Sequence, residues 1–226
     1  MSEELDQKIE AVVSRLNEVS DRIAARFTTE FSRMKTEGSP ELFDPRWGFV
    51  DKTGAVTFEV APIKYAVHGR RHLKLKLRYL PLFSDLKSAY DIGVGSGQMF
   101  MLLRDALGIR TRGLDAENVK GAYLYREFRR ELGIDDAVDL FEIRLGSAIP
   151  IPQGVDAVLA LWPTFDRGWG PSDHDWFVNL CRSRGAKRLV WRFNMGAVVP
   201  ETLSFYEQAG AEYPWPQDRG FLFLTL

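Results

Sequence analysis

The chain has 226 residues, 45% hydrophobic and 27% charged, with 30 Lys and Arg against 31 Asp and Glu for a net charge of -1. That length suits one domain with an appendage, and the charge balance gives no global pull towards nucleic acid or anionic membrane. The single cysteine, Cys181, excludes an intrachain disulfide and any multi-cysteine metal site. The acidic start, MSEELDQKIE, lacks the character of a signal peptide, and no run approaches the roughly 20 apolar residues of a membrane span. A soluble, cytoplasmic protein is expected.

Residues 3–36 predict one long helix, because Leu5, Ile9, Val12, Leu16, Val19 and Ile23 recur at spacings of four and three and Phe27, Phe31 and Met34 continue the stripe. The stripe either lies on the chain's own domain or, with its heptad-like spacing, forms the seam of a homodimer. Gly38-Ser39-Pro40 ends it. Between Trp47 and Val60, Phe49-Val50 and Val56-Phe58 flank Asp51-Lys52-Thr53-Gly54, the pattern of a hairpin. A further helix is predicted from about His68 to Leu82.

After Ser88 the pattern alternates. Strands are predicted at 88–93, 110–115, 138–143, 155–161, 188–194 and 220–226, with a shorter extended piece at 211–215. Helices are predicted at 97–107, 117–132, 173–184 and 200–209. Strands separated by helices imply a mostly parallel α/β sheet with helices on both faces. The division is residues 1–82 as helix, hairpin and lid, and residues 83–226 as the core.

The most informative stretch is Asp91-Ile92-Gly93-Val94-Gly95-Ser96-Gly97, at the end of the first core strand and the start of a helix. Alpha/beta sheets bind ligands there, and alternate glycines let the backbone turn tightly against one. The dinucleotide fingerprint G-x-G-x-x-G fails in both registers, because its third glycine falls on Gln98 or on Phe100. Asp91 is a poor neighbour for a pyrophosphate and a good one for a cation. Asp115, at the end of the second strand, is spaced to accept ribose hydroxyls.

Asp-x-Gly-x-Gly-x-Gly after a strand, with an acid ending the next one, resembles the first two motifs of class I S-adenosylmethionine-dependent methyltransferases. The resemblance spans about residues 83–226 and implies a seven-stranded, mostly parallel Rossmann-like sheet. It also implies S-adenosylmethionine as cofactor, S-adenosylhomocysteine as product, and a loop of Asp91, Gly93, Gly95 and Gly97 around the methionine part. Asp115 would take the ribose, Ser147 the edge of the adenine, and Leu161 joins the cofactor contacts. Leu161-Trp162-Pro163-Thr164 lacks the Asn or Asp of enzymes that methylate exocyclic or amide nitrogens. The second acid of the metal-dependent branch is also missing, so no metal is expected.

Methyl transfer is mainly a matter of positioning, with a general base useful for an oxygen nucleophile. The base candidates are His174, His72 and His68. His174 reads equally as a residue in the exposed first turn of a helix capped by Ser172 or Asp173, and the other two as a polar surface turn. Arg70, Arg71, Lys74, Lys76 and Arg78 read as a solvated helix face, or secondarily as a grip on an anionic substrate. Trp162 and Trp169 are candidate walls for the acceptor. The function expected is methylation of a small molecule at oxygen or nitrogen. The alternatives are a protein or glycan acceptor, a non-catalytic cofactor-binding relative and, more remotely, a nicotinamide enzyme. Nucleic acid and membrane are not expected as partners.

Overall fold

The computed structural model describes residues 3–58, 63–117, 119–194, 198–215 and 217–226. Ala157–Leu161, apolar at every position, lies in the middle of a sheet covered on both sides, the arrangement that favours continuous apolar strands. The six strands are β1 (Ser88–Ile92), β2 (Arg110–Asp115), β3 (Val138–Leu140), β4 (Ala157–Leu161), β5 (Arg188–Arg192) and β6 (Phe221–Thr225). Their order is β3-β2-β1-β4-β5-β6. All neighbours are parallel except β6, which runs antiparallel to β5.

No seventh strand forms among the described residues. The stretch expected to supply it makes one antiparallel bridge, Glu212 to Phe223. Pro214 follows, and it has no N–H to extend a ladder.

Side chains alternate across the sheet. On the front face Ala89, Leu159, Leu161, Val190 and Phe221 pack together with Tyr79, Phe83 and Met99. On the back face Tyr90, Ile92, Val158, Ala160 and Trp191 pack with Phe177, Cys181 and Tyr206. The back layer is α6 (Pro171–Ser183) and α7 (Pro200–Gln208). The front layer is α1 (Glu3–Glu37), α2 (Lys64–Val67), α3 (Gly69–Leu77), α4 (Gln98–Met101) and α5 (Ala122–Leu132). A π-helical turn, Leu102–Ala106, continues α4.

α1 buries Val12, Leu16, Val19, Ile23, Phe27 and Met34 in one cluster with Phe100, Leu102, Leu124, Phe128 and Leu132 of the core. Ion pairs Arg22–Glu131 at 3.0 Å and Arg26–Glu127 at 2.5 Å tie α1 to α5, and Arg15 donates to the Leu132 carbonyl at 2.9 Å. Val12, Leu16, Val19, Ile23, Phe27 and Met34 of the stripe are therefore covered by their own chain, while Leu5 and Ile9 are partly exposed.

The hairpin turn forms as expected. Val50 bridges Val56, and the Asp51 carboxylate accepts from Thr53 and Ala55. Glu59 and Val60, at its predicted far end, lie outside the described residues, as does Asn118 of the predicted 117–132 helix. The helix predicted from His68 to Leu82 is divided into α2, α3 and a 3₁₀ turn at Leu80–Phe83, where Pro81 cannot continue an α-helix.

Candidate active site

Asp91 lies on the front face of β1, between Tyr90 and Ile92, which both point back. The loop that follows holds Gly93, Gly95 and Gly97 at φ 79°, 55° and 69°. At Gly93 a Cβ would meet nothing within 4 Å, so its left-handed backbone borders open space. The neighbouring strand must pass close. A Cβ on Gly113 of β2 would sit 2.3 Å from Val94 Cγ2 and 3.0 Å from the Asp91 carbonyl. The Ser96 hydroxyl is buried in the loop without a hydrogen-bond partner among the described residues.

α3 covers this loop. Of the five basic residues from Arg70 to Arg78, four are exposed and Lys76 is buried. The solvated-face reading thus fails at Lys76, which falls on the buried Gly69-Leu73-Lys76 stripe of α3. Its ammonium donates to Gln98 Oε1 at 3.1 Å, and Gln98 Nε2 donates to the Gly69 carbonyl at 3.1 Å. Burial pushes the Lys76 ammonium down to about 8, against the opposing pull of Asp91. Burial pushes the Asp91 carboxyl up to about 7, which Lys76 partly offsets and Asp115 reinforces.

Asp115 ends β2, as the sequence predicts, and each of its carboxylate oxygens is engaged. Oδ2 takes a hydrogen bond from Arg129 at 2.8 Å and Oδ1 one from the Ala116 N–H at 3.0 Å. A carboxylate offers about four acceptor positions, so about two remain beyond the Arg129 and Ala116 contacts. Burial raises its pKa, with Arg129 the largest opposing influence. Beyond β2 and β3 opens a cleft of about 120 Å³ lined by Ala116, Glu117, Val119, Leu140, Phe141 and Glu142. The predicted 138–143 strand ends at Leu140, which turns Phe141 and Glu142 into cleft residues. Ser147 is not among that lining. Its hydroxyl accepts from the Arg144 N–H at 3.3 Å within a local turn.

The two tryptophans part company. Leu161 ends β4 on the front face, and Trp162 follows at φ 52°, the one positive φ among the described non-glycine residues. Such strain gathers at functional positions. The Arg192 guanidinium, ion-paired with Asp218, lies 5.7 Å from the Trp162 ring centre, and Tyr79 stacks on Phe221 at 4.5 Å. Trp169 instead packs on the back face, 5.4 Å from His174.

His174 stands in the first turn of α6, which the Asp173 carboxylate caps by accepting from the Gly170 N–H at 2.9 Å. The ring is not exposed: it is 2% accessible, enclosed by Trp169, Trp191, Phe193 and Tyr206, with Nδ1 3.2 Å from the Tyr206 hydroxyl. Burial pushes its pKa down to about 4. It is a core histidine, sealed on the back face by bulky neighbours. His72 is half-buried at the lid, 4.8 Å from the Tyr65 ring, and burial with the charges of Lys76 and Lys64 lowers it to about 4. His68 is exposed at the α2–α3 junction. Among the described residues no helix is long and apolar enough to cross a membrane.

No known sequence family and no curated protein sequence matches this chain. Solved structures share its fold. One, described as a putative S-adenosyl-L-methionine-dependent methyltransferase from Methanococcus maripaludis, aligns at TM-score 0.52 and 12% identity over 72% of this chain and 88% of that one. The S-adenosylmethionine-dependent methyltransferase SibL, in its apo form, aligns at TM-score 0.50 and 15% identity over 74% of this chain and 59% of that one. Mitomycin 7-O-methyltransferase is 22% identical over 57% of this chain and 38% of that one, at TM-score 0.42. The chain thus spans less than two thirds of the length of the last two. The likeness is one of fold, a mostly parallel α/β sheet shared with the two methyltransferase structures at TM-scores of 0.52 and 0.50.

Proposed function

We propose that the chain binds S-adenosylmethionine and transfers its methyl group to the oxygen or nitrogen of a small molecule. The observation that carries this reading is the Asp91–Gly97 loop, whose backbone borders open space at Gly93 beside a buried carboxylate and a buried ammonium. The donor set suits the cofactor. Asp91 faces the methionine end, and the unpartnered Ser96 hydroxyl offers a further polar contact. Asp115 keeps acceptor positions for the ribose, and Glu117, lining the cleft two residues beyond it, offers a second carboxylate. Phe141 and Glu142 fit the base better than Ser147 does.

The bound cofactor supplies a methyl group already activated on a sulfonium. The residues around it orient the acceptor and exclude water. Leu161 and the strained Trp162 flank the acceptor side at the end of β4, with Arg192 and Tyr79 beside them on the same face. Apolar aromatic walls of this kind suit a planar small molecule better than an extended polymer. With His174 sealed, His72 is the half-buried imidazole of the lid. It is neutral at physiological pH and able to accept, though weakly, a proton from the acceptor.

Titration calorimetry of the purified protein with S-adenosylhomocysteine and, separately, with NAD tests the reading. Saturable binding of the first alone is expected. Binding of NAD in its place would mean that the glycine loop serves a dinucleotide.

A further inference from the structure

Residues 60–84 contain no Asp or Glu and six Lys or Arg, in a chain whose net charge is -1. The rest of the molecule is therefore net acidic, and the positive charge is concentrated in this one segment. Within it, α3 turns its Gly69-Leu73-Lys76 stripe to the core. The stripe it turns to solvent is Arg71, Lys74, Leu75 and Arg78, at the spacing of one helix face, with exposed Val67 one turn earlier.

A cationic helix face is unremarked when neighbouring carboxylates neutralise it. Here that happens at Arg70, which lies 3.3 Å from Asp21 of α1. Arg71, Lys74 and Arg78 have no carboxylate within 4.0 Å among the described residues. Apolar side chains stand among them, Val67 at 46% exposed and Leu75 at 39%. Cations about 5 Å apart along the axis, one helical turn, around an exposed Leu complement a helix that carries carboxylates at the same spacing around an apolar residue of its own. A phosphate backbone offers no apolar counterpart to Val67 and Leu75. A bilayer surface asks for a wider apolar face than two side chains supply.

The position of the stripe adds a use. At its far end the Arg78 guanidinium lies 5.8 Å from the Trp215 ring centre, and Tyr79 contacts Trp215 at 5.4 Å and Trp162 at 6.1 Å. A partner lying along α3 therefore reaches the mouth where β4 ends. We propose that the outer face of α2 and α3 is a docking surface for an acidic amphipathic helix of a partner protein. Its carboxylates meet Arg71, Lys74 and Arg78, and its apolar residue meets Leu75. The contact is small and steered by charge, of the kind that forms and dissolves quickly. It is independent of the cofactor reading, which concerns the side of α3 that faces the glycine loop.

The probe is a synthetic helical peptide with Glu at one-turn spacing beside a Leu stripe. It is compared with its Lys-for-Glu counterpart, a single-stranded oligoribonucleotide and vesicles rich in phosphatidylserine. The wild type is expected to bind the Glu peptide at least ~10-fold more tightly than the Lys peptide, a preference that fades as salt rises. R71E, K74E and R78E combined should invert the preference, so that the variant takes the Lys peptide, an outcome that poor folding cannot mimic. L75S should weaken the Glu peptide by about 3- to 10-fold and leave the salt dependence as it is. The wild-type preference and L75S carry the test if the triple variant folds poorly. Three results overturn the docking surface: no wild-type preference between the peptides, tighter binding of the RNA or the vesicles than of the Glu peptide, or an unchanged preference in a folded triple variant. Wild-type binding of S-adenosylhomocysteine, titrated alongside, reports on the cofactor reading separately.

Discussion

Asp91 and Lys76 make opposite contributions to the pH response of the protein, and the sign of each follows from which state holds the proton. The Asp91 carboxyl is raised from 3.8 to about 7, so between those values the folded state keeps a proton that the unfolded chain has released. Stability from this group is full below about pH 4 and is lost as pH rises through about 7. Lys76 is lowered from 10.5 to about 8, so its contribution is full above 10.5 and is lost as pH falls through about 8. Together they place the least favourable point between pH 7 and 8, where both groups are charged and unpaired. Asn at position 91 cannot ionise. The melting temperature of D91N should therefore gain on the wild type by a few degrees as pH rises from 5 to 8, read by thermal unfolding without ligand. A difference that stays flat with pH would mean that Asp91 titrates normally.

At the scale of elements, the strands were legible because burial on both faces demands apolar runs, and AVLAL and FLFLT announce themselves. The glycine loop was legible for a local reason too: its residues are consecutive. What sequence reading missed lies in pairings across elements. Lys76 sits three residues past Leu73 on the buried stripe of α3, a signal present in the spacing but masked by the four solvated cations around it. Arg129 of α5 gave no sign that it would reach Asp115 at 2.8 Å and Asp135 at 2.9 Å, because nothing local joins them. That bridge links α5 to the end of β2. Removing one partner of a buried pair costs about 3–5 kcal/mol because the other is left uncompensated, and R129A should be destabilised by about that much at pH 7 in urea unfolding. Without Arg129 the Asp115 carboxyl, already raised by burial, rises further and favours its protonated form. The deficit should accordingly shrink as pH falls towards 5. An R129A variant as stable as the wild type would mean that Asp115 finds its complement elsewhere.

For the whole molecule, the sequence suggests an N-terminal appendage ending near residue 82, whereas the packing joins it to the core. One continuous apolar cluster holds Val12, Leu16, Phe27, Phe49 and Leu73 from the first part with Val94, Phe100, Leu124 and Phe128 from the second. The front side of the loop helix α4 and of α5 is thus covered by α1 and α3 instead of by water. A fragment spanning residues 83–226 would expose that face, and at about 25 cal/mol per Å² of apolar surface a patch of this kind offsets most of the few kcal/mol that hold a domain of this size folded. The full chain should therefore melt in a single transition by calorimetry. The fragment should lack a cooperative melt and bind a dye that reports exposed apolar surface. A fragment that melts cooperatively would restore the two-part division and make residues 1–82 a detachable cover.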